Sequence, residues 1–195
     1  MRLISLDCSS TTVGIAILDA IDNKITLIHQ EYFKPPKSDK ASIFERLDAA
    51  KKHITKILDG YNPEEFAIED IILFMKGKSR AKTIIPLALF NRTMGLLWFE
   101  RTGKHPHLLN VMSIRHRLKL SKVLPDKEDM PELVAKHLGI EFPYYYKINK
   151  KTKKQEIMEE SRDVADSIAV GIAFIFEHIE KRPKLKFAAE KRKKK

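Results

Sequence analysis

The chain has 195 residues and a formal charge of +11, with 43% hydrophobic and 32% charged residues. That length holds one well-cored domain, the composition is that of a globular protein, and the longest apolar runs fall short of a membrane span. A single cysteine, Cys8, excludes an internal disulfide framework, and an acid at position 7 comes too early for a secretory leader, so a cytoplasmic protein with no membrane partner is expected.

Residues 2–6 and 12–18 are apolar, β-branched runs joined by the polar turn Cys8-Ser9-Ser10-Thr11; Asp22-Asn23 marks another turn before a strand-like run over 25–32. Three strands so spaced predict an antiparallel meander. Residues 34–40, with Pro35-Pro36, read as a loop. Ser42 starts a helix with the apolar face Ile43, Leu47, Ala50, Ile54 and Ile57 or Leu58, and Gly60 is its expected end. Residues 66–69 form a short strand terminating in acid. A basic loop leads to a long helix through 87–101, stopped near Gly103; part of its apolar surface (Phe90, Met94, Leu97, Trp98) is read as a homodimer interface, the alternative being a core helix. A fifth strand spans 108–111, Ser113 is the expected cap of a short helix, and 126–138 is a helix ended by Gly139. Lysine-rich 144–157 reads as a hairpin insertion. A final helix over 163–179 turns Ala165, Ile168, Ala169, Ile172, Ala173 and Phe176 inward. The order predicts an α/β fold: a mixed five-stranded sheet, three antiparallel strands and then parallel ones, flanked by helices. Residues 1–182 are expected to be one domain and 183–195 a basic, disordered tail.

The positive charge is concentrated. The last fifteen residues hold nine Lys/Arg and one Glu, leaving only +3 on the first 180. Within those, Lys76, Lys78, Arg80 and Lys82 form one cluster, Arg115, Arg117, Lys119 and Lys122 a second, and Lys147, Lys150, Lys151, Lys153 and Lys154 a third. Solvated lysines could account for a tail; three further patches favour a polyanionic partner, nucleic acid.

Asp7 and Glu69 each follow a buried apolar run, where a carboxylate is costly unless paired, and a cation is the usual partner. Asp163 and Asp166, three apart, share one face at the start of the last helix, where like charges again invite a metal. Singly, Asp163 could be a helix cap, Asp7 a turn residue, and Glu69 with Asp70 a solvent-facing pair. As a set, four acids from two strand ends and one helix start suit two Mg²⁺ ions ~4 Å apart across a scissile phosphate. His105-x-His107 lies in a Pro-containing loop, and neither a Gly-rich phosphate loop nor a nucleophile elbow is present.

Leu6-Asp7-Cys8-Ser9-Ser10-Thr11-Thr12-Val13-Gly14, then Ala67-Ile68-Glu69, then Arg162-Asp163-Val164-Ala165-Asp166-Ser167-Ile168-Ala169 resembles, in order, the three acidic motifs of RuvC-type Holliday junction resolvases. The resemblance spans roughly residues 1–180, and its small, diverged form is like that of phage and viral members. It implies an RNase H-like fold, a homodimer acting on DNA, Mg²⁺ or Mn²⁺ with two ions per site, and paired nicks across a four-way junction. The family's catalytic acids fall on Asp7, Glu69, Asp163 and Asp166, and its basic residues after the fifth strand on Arg115 and Lys127. Two positions depart from the pattern: Ser9 stands where the family usually has Gly, and Ile72 replaces a base-stacking Phe, with Phe74 nearby. Phe74, Lys76, Lys78, Arg80, Lys82, Arg115 and Lys127 are therefore the expected DNA contacts.

Other readings remain. The same chemistry could act on flaps or RNA–DNA hybrids. Asp7-x-Ser-Ser-Thr-Thr-x-Gly also resembles the first phosphate motif of actin-like kinases and ATPases, which need a second domain that 195 residues leave no room for. A non-catalytic DNA-binding protein would have no need for all four acids.

Overall fold

The computed structural model describes residues 1–71, 81–149 and 152–181. Strands β1 (Arg2–Cys8), β2 (Val13–Ile21) and β3 (Lys24–Phe33) form the antiparallel meander, turned at Asp22 and Asn23, both with positive φ. Helix α1 (Ile43–Tyr61) crosses over to β4 (Glu65–Glu69), and α2 (Ala81–Thr102) leads to β5 (His107–Leu109). The sheet order is β3-β2-β1-β4-β5, with β4 and β5 joining in parallel, which is the mixed RNase H-like sheet expected. Helices α3 (Val111–Leu118), α4 (Met130–Leu138) and α5 (Glu160–Phe174) follow, the last continuing as a π-helical turn over Ile175–Ile179. A separate two-stranded ribbon, β6 (Tyr146–Ile148) with β7 (Gln155–Ile157), precedes α5.

Side-chain alternation divides the core. Ile4, Leu6, Ile15, Ile17, Phe66 and Ile68 face α1 and α2, while Leu3, Ala16, Leu18 and Ala67 face α3, α4 and α5. The α5 face is lined by small groups, so α5 lies close on the sheet. A Cβ on Gly171 would fall within the space of Leu18 and Ser5. No helix of the described residues is long and apolar enough to cross a membrane.

Several expected boundaries move, each for a local reason. Helix α1 passes through Gly60 and ends at Asn62, which takes the left-handed conformation (φ 46°) that asparagine tolerates. Helix α2 already runs at Ala81, with Pro86 inside it, costing one backbone donor. The fifth strand stops at Leu109 because the Asn110 side chain accepts from Met112 N and caps α3, leaving Ser113 inside that helix. Residues 126–138 split into a 3-10 turn (Lys127–Asp129) and α4, with Pro131 in the first turn of α4. Helix α5 begins at Glu160, so Asp163 sits in its first turn rather than at its cap. Phe90, Met94, Leu97 and Trp98 are all buried against this chain's own sheet and α1, which corrects their reading as an interface.

Candidate active site

Strands β1 and β4 are parallel neighbours with Leu6 opposite Ile68. The residues that follow, Asp7 and Glu69, therefore emerge side by side at the same strand ends. Leu6 and Ile68 point toward α1 and α2, so alternation turns both acids to the α5 side. Asp7 is paired across the sheet with Gly14 on β2, and a Cβ on Gly14 would fall on the backbone carbonyl of Asp163. This close approach sets the first turn of α5 against the strand ends, and Asp166 lies one turn on, over the same place. Asp7, Glu69, Asp163 and Asp166 line one open cavity of about 480 Å³.

Gly14→Ala should therefore lower the melting temperature by roughly 3–10 °C, since overpacking a core costs about 1–3 kcal/mol and each kcal/mol shifts a chain of this size by a few degrees. Thermal unfolding followed by circular dichroism measures it; an unchanged midpoint would show that α5 is free to move off the sheet.

The electrostatics of the cavity are those of excess negative charge. Burial, and then Glu69, Asp166 and Asp163, push the Asp7 carboxyl well above its ordinary range. Glu69 is raised to about 7 by burial and Asp166, against the opposing pull of Arg115 and Lys127. Asp166 is raised to about 6, burial outweighing Lys127 and Arg115. Two cations stand against these acids. The Lys127 ammonium, on the 3-10 turn, lies 3.2 Å from Asp163 Oδ1 and 3.6 Å from Asp166 Oδ2. Burial lowers its pKa, but Asp166, Asp163 and Asp7 together hold it above the ordinary value. Arg115, on α3, lines the same cavity. Cys8 forms part of the wall, its thiol pushed well up by burial and by Asp7 and Glu69; it is not poised as a nucleophile.

Among the described residues no three His, Cys, Asp or Glu side chains stand as a ready-made metal cage. Lys127 instead bridges the two α5 acids. The donor set nevertheless suits a hard divalent cation: four carboxylates, three of them held above their ordinary pKa by confinement, with the local positive charge of one Lys and one Arg.

The other expected DNA contacts divide. Arg115 and Lys127 are at the cavity, whereas Lys82 is exposed on the first turn of α2 and does not line it. Phe74, Lys76, Lys78 and Arg80, with Ile72, lie outside the described residues. Two residues with no sequence signal help to build the site. Buried Asn91 donates from Nδ2 to the backbone carbonyl of Glu69 (2.7 Å) and lines the cavity, fixing the end of β4. Buried Arg46 reaches from α1 to the carbonyls of Pro36 (2.8 Å) and Ser10, pinning the turn after Asp7. Within that turn the Ser9 hydroxyl accepts from Thr12 N and donates to Thr12 O, both at 2.9 Å. Ser9, where the resembling family usually has glycine, thus ties the turn to itself.

Comparison with known proteins identifies relatives of this chain and of its fold. The family described as Crossover junction endodeoxyribonuclease RuvC matches residues 3–104. The protein of that name from Fusobacterium nucleatum is 36% identical over 141 residues, which are 72% of this chain and 70% of that protein. Among solved structures, Thermus thermophilus RuvC in complex with Holliday junction substrate superposes with a TM-score of 0.66 at 18% identity, covering 90% of this chain and 94% of the other. The yeast mitochondrial Holliday junction resolvase gives 0.61 at 11% identity, covering 92% and 81%. At such identities the superpositions establish the shared fold. With half the chain matched by the family and a relative aligned over most of both lengths, this chain belongs to the RuvC family.

Proposed function

We propose that the chain is a divalent-metal-dependent endonuclease that resolves four-way DNA junctions by paired symmetric nicks. The observation that carries this reading is the convergence of Asp7, Glu69, Asp163 and Asp166 on one cavity flanked by Arg115 and Lys127. Four acids give no selectivity for a phosphodiester by themselves; the adjoining cations supply the attraction for it.

The four acids would hold two Mg²⁺ ions, Mn²⁺ substituting. A metal held by these residues would supply activated water and charge neutralisation for breaking the P–O3′ bond. Lys127 and Arg115 hold the phosphodiester over the acids. In the metal-free site Glu69 is raised to about 7, and a cation held there would compete with its proton near neutrality. Asn91 and Arg46 keep the two strand ends in register, and no covalent intermediate is needed. Phe74 would wedge against bases opened at the crossover, where stacking is worth ~1–3 kcal/mol per base. Lys76, Lys78, Arg80 and Lys82 would contact the arms.

Two cuts need two sites, hence a homodimer. Ile85, Leu89, Leu96 and Phe99 are exposed on α2, at a helical spacing on the side away from the core. They support α2 as the dimer face through residues other than those named from the sequence. Residues 1–182 would form the nuclease domain, and the basic sequence of 183–195, which lies outside the described residues, would add non-specific DNA affinity. A cytoplasmic location suits both the substrate and the lone, buried Cys8.

Purified protein incubated with labelled junction, flap, duplex and RNA–DNA hybrid, with and without Mg²⁺, tests the reading. Cutting of the junction at two symmetry-related points, at least about tenfold faster than the others, is expected; tenfold corresponds to ~1.4 kcal/mol of transition-state preference. Hybrid or flap cut as readily would transfer the activity to those substrates.

A further inference from the structure

The ribbon formed by β6 and β7 has no role in the acidic cavity. Its register pairs Tyr146 with Ile157, Lys147 with Glu156 and Ile148 with Gln155. Tyr146, Ile148 and Ile157 therefore share one face, and they are 51%, 63% and 53% exposed. The opposite face carries Lys147 and Glu156, the latter accepting from Asn149 Nδ2 at 2.6 Å. An isolated two-stranded ribbon is marginal in water, and one with three large apolar side chains exposed has a surface that calls for a partner.

The base of the ribbon is firmly fixed. Met158 N donates to Tyr145 O (2.8 Å), and Tyr145 N donates to Ser161 Oγ (2.9 Å) in the first turn of α5. The Tyr145 hydroxyl donates to Gln30 O on β3 (3.2 Å), and its ring meets Tyr32 edge-on. The base of the ribbon is thus tied to the same helix turn that bears Asp163. Glu159 and Glu160, just beyond β7, line a polar cavity of about 250 Å³ together with Asp163 and the Ser9–Thr12 turn.

Charge identifies the partner. Between Tyr146 and Ile157 there are five lysines and one glutamate, and Lys147, Lys153 and Lys154 are all exposed. We propose that the β6–β7 ribbon is a second DNA-binding element, gripping a duplex arm beside the acidic cavity. Lys147, Lys153 and Lys154 contact phosphates, and the Tyr146–Ile148–Ile157 face packs on deoxyribose and base edges in a groove. Two-stranded ribbons are of a size to enter a groove, and apolar contacts there complement lysine contacts to the backbone. The identity of the nucleic acid rests on the nuclease reading above.

The test compares wild type with two variants, Lys147→Ala/Lys153→Ala/Lys154→Ala and Tyr146→Ser/Ile157→Ser. Each is titrated with labelled junction and with linear duplex in Ca²⁺ at a series of salt concentrations, and cleavage is followed separately in Mg²⁺. Every lysine–phosphate pairing removed flattens the log–log salt slope by about 0.9, so the lysine variant should lose about 2–3 in slope and roughly tenfold or more in affinity. The apolar variant should lose about fivefold or more with its salt slope kept, since apolar contacts release no counterions. Both should keep the wild-type melting temperature, all five residues being exposed. If the apolar pair melts the ribbon, the lysine variant, which leaves strand pairing intact, still decides. Wild-type affinity and slope in the lysine variant would overturn the proposal and leave the ribbon as a surface for another protein. A wild-type protein that binds DNA but cuts no branched form would overturn the nuclease reading alone; one that binds no DNA would overturn both.

Discussion

Asp7→Asn should abolish junction cutting while leaving affinity for the junction unchanged or raised. Asparagine keeps the size of the side chain, so the pairing of Asp7 with Gly14 and the packing under α5 are preserved. What is lost is one negative charge from the most confined of the four acids, the one whose carboxyl feels Glu69, Asp166 and Asp163 together. A cation held by this set loses its most enclosed ligand, and a phosphate entering the cavity meets less repulsion. Deleting one element of a preorganised electrostatic site costs roughly 10²–10³-fold in rate, and a metal ligand should stand at or beyond that. Single-turnover cleavage in Mg²⁺, with gel-shift titration in Ca²⁺, measures both arms. Cutting at near wild-type rate would remove Asp7 from the active site, and lost DNA affinity would mean that the substitution had disturbed the fold.

The features legible in the sequence are those that depend on local pattern. β-branched runs between turn residues marked the meander, and a carboxylate placed directly after a buried run marked the end of β4 at Glu69 and, one residue short of its end at Cys8, that of β1 at Asp7. Asp163 and Asp166 were legible as a pair because i, i+3 spacing fixes them on one helix face whatever the helix boundary. Boundaries misled wherever two local signals competed, Gly60 against Asn62 and Ser113 against Asn110, and the helix expected through 87–101 already runs at Ala81 with Pro86 inside it. The supports of the site were not legible, because they act through contacts distant in sequence. Arg46 bonds to a carbonyl 36 residues away and Asn91 to one 22 residues away, and neither residue type nor spacing signals such a bond. Helix α2 shows a further limit. It is apolar on more than one side, so composition could not tell which stripe meets the chain's own sheet. Phe90, Met94, Leu97 and Trp98 do, while Ile85, Leu89, Leu96 and Phe99 are left outside.

The metal-free protein should lose stability as pH rises from about 5 to 8, and Mg²⁺ should restore most of what is lost. Glu69 moves from 4.5 to about 7 and Asp166 from 3.8 to about 6 on folding, and Asp7 moves in the same direction. Acids whose folded pKa is raised bind more protons folded than unfolded between those limits. Their contribution is fully present below about pH 4 and is lost as pH passes through 6 to 7. His178 works the other way: burial and His107 lower its pKa, so its contribution grows as pH rises. One histidine, only partly enclosed, opposes three confined acids and does not reverse the trend. A shift of about two units is worth on the order of 3 kcal/mol, and because the acids titrate as a coupled set that figure serves for the cluster. It corresponds to roughly 6–12 °C in a chain of this length. Protons and metal compete for the same oxygens, so the rise in melting temperature produced by Mg²⁺ should be larger at pH 8 than at pH 5.5, and Asp7→Asn should shrink it. Calorimetric melts at both pH values, with EDTA or Mg²⁺, test each step. A metal-free midpoint that rises toward pH 8, or an Mg²⁺ shift equal at both pH values, would show that these carboxylates are neither crowded nor the place where the cation binds.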